Sequence, residues 1–138
     1  MQVSELMTAD VCYVTPDTKL SELAQRMRDE DIGSIPVAEN DRLIGMVTDR
    51  DIVIRALTDG TDPRACTARD VMSPKVLYCR ASQSVEDVLE NMGEQQVRRL
   101  PVVDDNKRLV GVVSLGDLSH AAERKAGDAL RDLSRPVS

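Results

Sequence analysis

"RLIGMVTDRD" (residues 42–51) and "RLVGVVSLGD" (residues 108–117) are two versions of one segment. Each begins Arg-Leu, carries a glycine at its fourth position, runs through alternating apolar residues and ends in Thr/Ser-x-x-Asp. Internal repetition of this kind outranks local propensity as a guide to architecture. The match extends upstream at a shift of 65. "IGSIPVAEN" (32–40) lies on "VRRLPVVDD" (97–105), and "VCYVTPDTKLSELAQRM" (11–27) lies on "VLYCRASQSVEDVLENM" (76–92), with Met7 on Met72. The shift becomes 66 through one extra residue in "DDNKR" relative to "ENDR". That insertion falls in a polar Asn/Asp-rich segment, where a turn tolerates a length change. Tyr13 and Tyr78, the only two aromatic residues, share one repeat position.

Each copy reads as the same series of elements. "VCYV" and "VLYC" have the composition of short strands. Leu20, Leu23, Ala24 and Met27, and again Val85, Val88, Leu89 and Met92, follow helical spacing. Strands around Ile35–Ala38 and Leu43–Val47, joined by a short polar turn, suit an antiparallel pair. A second helix follows, with Ile52, Val53, Ala56 and Leu57 apolar in the first copy and Leu118, Ala121 and Ala122 in the second. The fold class is therefore α/β, with β-α-β-β-α written twice. One copy of ~55 residues is marginal alone. A duplicated pair packed about a pseudo-two-fold can bury a shared core. The domains are set at 1–60 and 69–123. Residues 61–68 form the linker, with Gly60 just ahead of it and Pro63 within it as chain breakers, and 124–138 are a C-terminal extension of the last helix that frays toward Pro136. Thr67, three residues before Asp70, is placed to start a helical turn.

Composition narrows the function. The 138 residues carry a net charge of −6 with 41% hydrophobic and 30% charged content, the profile of a globular protein. An acidic chain with two rings is poorly suited to phosphate backbones or base stacking, so nucleic acid is not an expected partner. No apolar run approaches the ~20 residues that span a bilayer, so no membrane partner is expected. Cys12, Cys66 and Cys79 form no CxxC pattern, which points to a reducing cytoplasm and small buried thiols. By strand alternation Cys12, Val14, Leu77 and Cys79 share one face. Catalysis lacks a signature: there is no HExxH, GxSxG or P-loop, and His120 has no nucleophile pattern beside it. No metal spacing stands out, so no metal site is assigned.

This order, with "IPV…RLIGMVTDRD" and "RRLPVVDD…RLVGVVSLGD", resembles tandem CBS domains, the pair known as a Bateman module, over residues 1 to about 122. The resemblance implies a regulatory, non-enzymatic module with an adenosine-type ligand in the clefts between the two repeats, and a homodimer of two modules. No obligatory cofactor is implied; an adenine nucleotide of the AMP, ADP or ATP type is the expected regulatory ligand, and an effector protein of unknown identity the expected partner.

Thr48-x-x-Asp51 and Ser114-x-x-Asp117 stand at strand-to-helix junctions. Alone they read as capping boxes. Under the resemblance, Asp51 and Asp117 take the vicinal ribose hydroxyls, because an ionised carboxylate is a two-oxygen acceptor, and Thr48 and Ser114 assist. Arg98 and Arg99 are placed for ligand phosphate, which the guanidinium fork fits. Their first-copy equivalents, Gly33 and Ser34, carry no charge, leaving Arg50 as the phosphate candidate there and Asp49 as a solvated acid. The two sites should therefore differ, with the Asp117 site favouring the phosphorylated ligand. Val14, Thr15 and Pro16, with Cys79, Arg80 and Ala81, resemble the base-side segments. The alternatives are a ligand-independent dimeric interaction scaffold and a cysteine-based redox or metal sensor.

Overall fold

The computed structural model describes residues 1–58 and 62–134, with side chains of the last helix described as far as Arg124. The linker breaker Gly60 and the fraying expected toward Pro136 lie outside the described residues. In the first copy, helix α1 (Leu20–Glu30) is followed by strands β1 (Ser34–Glu39) and β2 (Arg42–Thr48) and by helix α2 (Asp49–Asp51). A short helix α3 (Ala68–Val71) opens the second copy. It continues through β3 (Cys79–Arg80), α4 (Val85–Gln95), β4 (Arg99–Val103), β5 (Leu109–Ser114) and α5 (Leu115–Ser134).

Local chemistry explains the boundaries. The β1–β2 pair is antiparallel, with Ile35 opposite Val47 and Pro36 opposite Met46, and it is irregular between Val37 and Ala38. Its connection, Asn40–Asp41, has φ of 52° and 66°. Two left-handed residues twist a hairpin the way its strands need, and Asn and Asp tolerate that conformation. Helices α1 and α4 end alike, at Asp31 and Gln96, both left-handed with φ of 53° and 55°. Buried Leu20, Leu23 and Met27 on α1 and Val85, Val88 and Met92 on α4 form the apolar stripes that their spacing predicts.

The expected strands "VCYV" and "VLYC" form less than their composition suggests. Only Val14 bridges, parallel to Val37, and only Cys79–Arg80 pairs, parallel to Val102–Val103. Residues ahead of them stay off the ladder, and Tyr13 and Leu77 are exposed. Cys79 is buried and Cys12 half-buried. The helix after β2 also departs from expectation. It passes from α2 into a π-helical turn, Ile52–Ala56. Ala56 is buried, but Val53, Ile54 and Leu57 face out. The corresponding turn of α5 is regular, with Leu118 and Ala121 buried.

The compact units do not coincide with the sequence copies. One comprises Val11–Leu77 with Asp105–Leu109; the other comprises Met1–Asp10, Tyr78–Asp104 and Val110–Ser138. The start of each copy is thus built into the other copy's unit, and the same bonds recur on each side. Val3 N–H donates to Gln83 O, Ser4 N–H to Ala81 O and Val85 N–H to Met1 O. In the other unit Ala68 N–H donates to Thr18 O, Arg69 N–H to Pro16 O and Leu20 N–H to Cys66 O. Each pair of bonds superposes under the 65-residue shift.

Each unit has a core cluster of its own. One joins Leu23, Ile35, Val37 and Val47 with Cys66, Ala68 and Val71; the other joins Val88, Leu100, Val102 and Leu118 with Val3. The exchanged segment also closes over a glycine. A Cβ at Gly45 would lie 2.6 Å from Met72 Sδ, and one at Gly111 would lie 2.6 Å from Met7 Sδ. These two glycines, at the fourth position of the repeated segment, give the methionine side chains room against the strand. Among the described residues no helix is long and apolar enough to cross a membrane.

Candidate functional site

Both Thr/Ser-x-x-Asp elements fall where a strand turns into a helix, but they are not equally engaged. Thr48 Oγ1 accepts from Asp51 N–H at 3.0 Å, and Asp51 Oδ2 accepts from Thr48 N–H at 3.0 Å, a complete capping box. Asp51 Oδ1 also lies 4.0 Å from Arg55 Nε. In the other unit Ser114 Oγ accepts from Asp117 N–H at 3.1 Å. Among the described residues the exposed Asp117 carboxylate has no hydrogen bond or ion pair. An ionised carboxylate offers about four acceptor positions. Asp51 keeps part of that capacity, and Asp117 keeps all of it.

A backbone bond brings the residue before each central strand to this junction. Leu115 N–H donates to Arg98 O at 2.7 Å, and Asp49 N–H donates to Gly33 O at 3.0 Å. Arg98 is therefore held beside the start of α5, next to Ser114 and Asp117. Arg99 is the first residue of β4, and strand alternation turns its side chain to the face opposite that of Leu100, which is buried. Both arginines are exposed, and among the described residues neither guanidinium has an acidic partner. Arg50 is likewise exposed at the start of the first-copy helix.

The base-side candidates sit at the bridges to the central strands. Val14 N–H donates to Pro36 O at 3.0 Å, and Ala81 N–H to Val103 O at 2.9 Å. The side chains of Val14 and Cys79 belong to the two cores. Cys79 Sγ points at Pro101 O, 3.7 Å away, and burial pushes its thiol up to about 11. Pro16 is buried and Ala81 half-buried, whereas Thr15 and Arg80 are exposed. Thr15 is tied to Thr18, its N–H donating to Thr18 Oγ1 at 3.2 Å. The candidates divide between the units, Val14, Thr15, Pro16, Thr48, Arg50 and Asp51 in one, and Cys79, Arg80, Ala81, Arg98, Arg99, Ser114 and Asp117 in the other.

The pairing of Gly33 with Asp49 is not apparent from the sequence alone. A Cβ at Gly33 would stand 3.3 Å from Asp49 Oδ2, and Asp49 Oδ1 accepts from Arg50 N–H at 2.8 Å. Asp49 therefore lies against the backbone at the place that Arg98 and Leu115 occupy in the second copy.

Fold, repeat and site define a pair of CBS domains. The sequence model of the family described as "CBS domain" matches residues 3–57 and 68–124, and the chain belongs to that family. Hypoxic response protein 1 of Mycobacterium tuberculosis is 38% identical over 136 residues, which cover 97% of this chain and 94% of that protein. A crystal structure of Hypoxic Response Protein I with two coordinated zinc ions matches with a TM-score of 0.77 at 40% identity, covering 88% of this chain and 98% of that one. The cytosolic domain of the Mg2+ channel MgtE, in complex with ATP, matches with a TM-score of 0.73 at 29% identity, covering 87% of this chain and 48% of that one. Among the described residues here, no three His, Cys, Asp or Glu side chains are grouped to hold a metal.

Proposed function

We propose that the protein is a regulatory module that binds an adenine nucleotide of the AMP, ADP or ATP type and shifts its conformation or choice of partner. Asp51 and Asp117 take the ribose diol, each carboxylate accepting from the two hydroxyls, with Thr48 and Ser114 alongside. Arg98 and Arg99 meet phosphate, with Arg50 as the lesser counterpart in the other unit. The segments Val14–Pro16 and Cys79–Ala81 flank the base through their backbone and through Ala81 and Pro16. No catalytic residue and no obligatory cofactor take part. The observation that carries this reading is the unengaged Asp117 carboxylate at a helix start, with the unpaired Arg98 held beside it. In a chain of net charge −6, two adjacent arginines without acidic partners suit an anionic ligand. The ATP complex of the MgtE domain supports the ligand class.

A ligand signals only by preferring one of two states. The cytoplasm is the proposed setting and an effector protein the proposed recipient. The exposed Val53, Ile54 and Leu57 favour a homodimer, since three large apolar side chains on one short turn are costly to leave in water. The test is a thermal-shift panel of AMP, ADP and ATP on the wild type and on the Asp51→Ala/Asp117→Ala chain. A dose-dependent rise in Tm that the double variant loses is expected. A flat response, or an equal rise in both, rejects the proposal.

A further inference from the structure

We propose that Asp49 is a specificity-determining residue that sets the Asp51 site against phosphate, so that this site takes an adenosine compound with no charge at its 5′ end while the Asp117 site takes the phosphorylated form. The proposal rests on the adenine-nucleotide reading above and narrows it: at the Asp51 site the Asp49 carboxylate offsets Arg50, which then has no phosphate to meet.

The two units share one backbone frame here and exchange its charges. In both, the residue after the Thr or Ser donates its N–H to the carbonyl of the residue before the central strand, at 3.0 Å for Asp49 and 2.7 Å for Leu115. In one unit that frame carries Arg98 and Leu115; in the other it carries Gly33 and Asp49. The Arg98 frame thus carries a cation and no acid, and the Gly33 frame carries an acid and no cation.

The Asp49 carboxylate is also fixed. Oδ1 is held by Arg50 N–H at 2.8 Å, and Oδ2 sits 3.3 Å from the space a Gly33 side chain would fill. Glycine at 33 is what admits the acid; a longer side chain would displace it. At this end Asp51 Oδ1 lies 4.0 Å from Arg55 Nε, and Arg50 is exposed. Beside Asp117 the frame carries Arg98 and no acid. A phosphate seated on the Gly33 frame as Arg98 would seat it in the other unit would meet the Asp49 carboxylate, and like charges at short range repel even in a wet site. An uncharged 5′ group meets no such penalty.

The test uses adenosine and AMP as probes, titrated calorimetrically into chains with one site disabled. In Asp117→Ala, which keeps the Asp51 site, AMP should bind no tighter than adenosine. Adding Asp49→Asn should tighten AMP by about threefold or more while leaving adenosine within about twofold, the size expected for removing one screened like charge. Asparagine keeps an acceptor for Arg50 N–H, so the local fold is retained. Conversely, Leu115→Asp in the Asp51→Ala chain should weaken AMP by a similar factor and spare adenosine. An AMP-to-adenosine preference unmoved by both substitutions overturns the assignment of Asp49 alone. Binding of neither probe to the wild type overturns the adenine-nucleotide reading, and this proposal with it.

Discussion

Replacing Asp51 by alanine should cost the ligand-free chain more stability than replacing Asp117, although the two residues occupy one repeat position. Asp51 closes a reciprocal box: its Oδ2 accepts from the partly buried Thr48 N–H at 3.0 Å, and its Oδ1 lies 4.0 Å from Arg55 Nε. Alanine would leave that N–H without its acceptor, a loss of ~1 kcal/mol. Removing a negative charge from a helix start costs a further ~0.3–1 kcal/mol. The exposed Arg55 pair adds little. The total for Asp51→Ala is therefore ~1–2 kcal/mol. At Asp117 the cap bond runs from the backbone N–H to Ser114 Oγ at 3.1 Å, and alanine keeps that N–H. Only the helix-start charge is lost, ~0.3–1 kcal/mol. Urea unfolding followed by circular dichroism, without nucleotide, measures both. Equal losses, or a larger loss at Asp117, would refute the claim that Asp51 is committed to the fold and Asp117 is held in reserve.

Three further outcomes follow from the packing. Gly111→Ala should destabilise more than Gly45→Ala, by ~1–3 kcal/mol as overpacking does. The added Cβ at 111 meets the Thr8 backbone O at 3.0 Å besides Met7, whereas at 45 the nearest atoms belong to the flexible Met72 side chain; paired Met72→Ala should relieve the second case and Met7→Ala only part of the first, as a double-mutant cycle in urea would show. Deleting residues 1–8 should speed hydrogen exchange in α4 while sparing α1, because Val3 belongs to the core that contains Val88 and Met92; equal effects on both helices would contradict the exchange of segments. Burial pushes the Cys79 thiol up to about 11 in the folded chain, above the ordinary thiol range. Its contribution to stability is full below about pH 9 and falls as pH rises through about 11, so Cys79→Ala should flatten that part of the pH profile of unfolding.

Much of the fold was legible in the sequence because repetition doubled every signal. Hydrophobic spacing placed α1 and α4, and Asn40–Asp41 marked the hairpin turn. The exchange of segments was not legible. The run Val3, Leu6 and Met7 and the run Ala68, Val71 and Met72 are equivalent under the 65-residue shift, so either could complete either core, and pattern alone does not choose between them. The π-helical turn at Ile52–Ala56 shifts hydrogen bonds by one residue and has no compositional mark. At the site, the Thr48/Asp51 and Ser114/Asp117 elements were apparent from spacing, whereas their unequal engagement depends on geometry. Asp49 is exposed, as a solvated acid at a helix start is, and only the geometry shows the frame it shares with Gly33.

The most direct measurement is calorimetric titration of the purified chain with ATP, beside the Asp51→Ala/Asp117→Ala chain at the same ionic strength. Saturable binding to the wild type, weakened by Asp117→Ala and abolished in the double variant, is the predicted result. No heat of binding in the wild type, or unchanged binding in a folded double variant, would contradict the account.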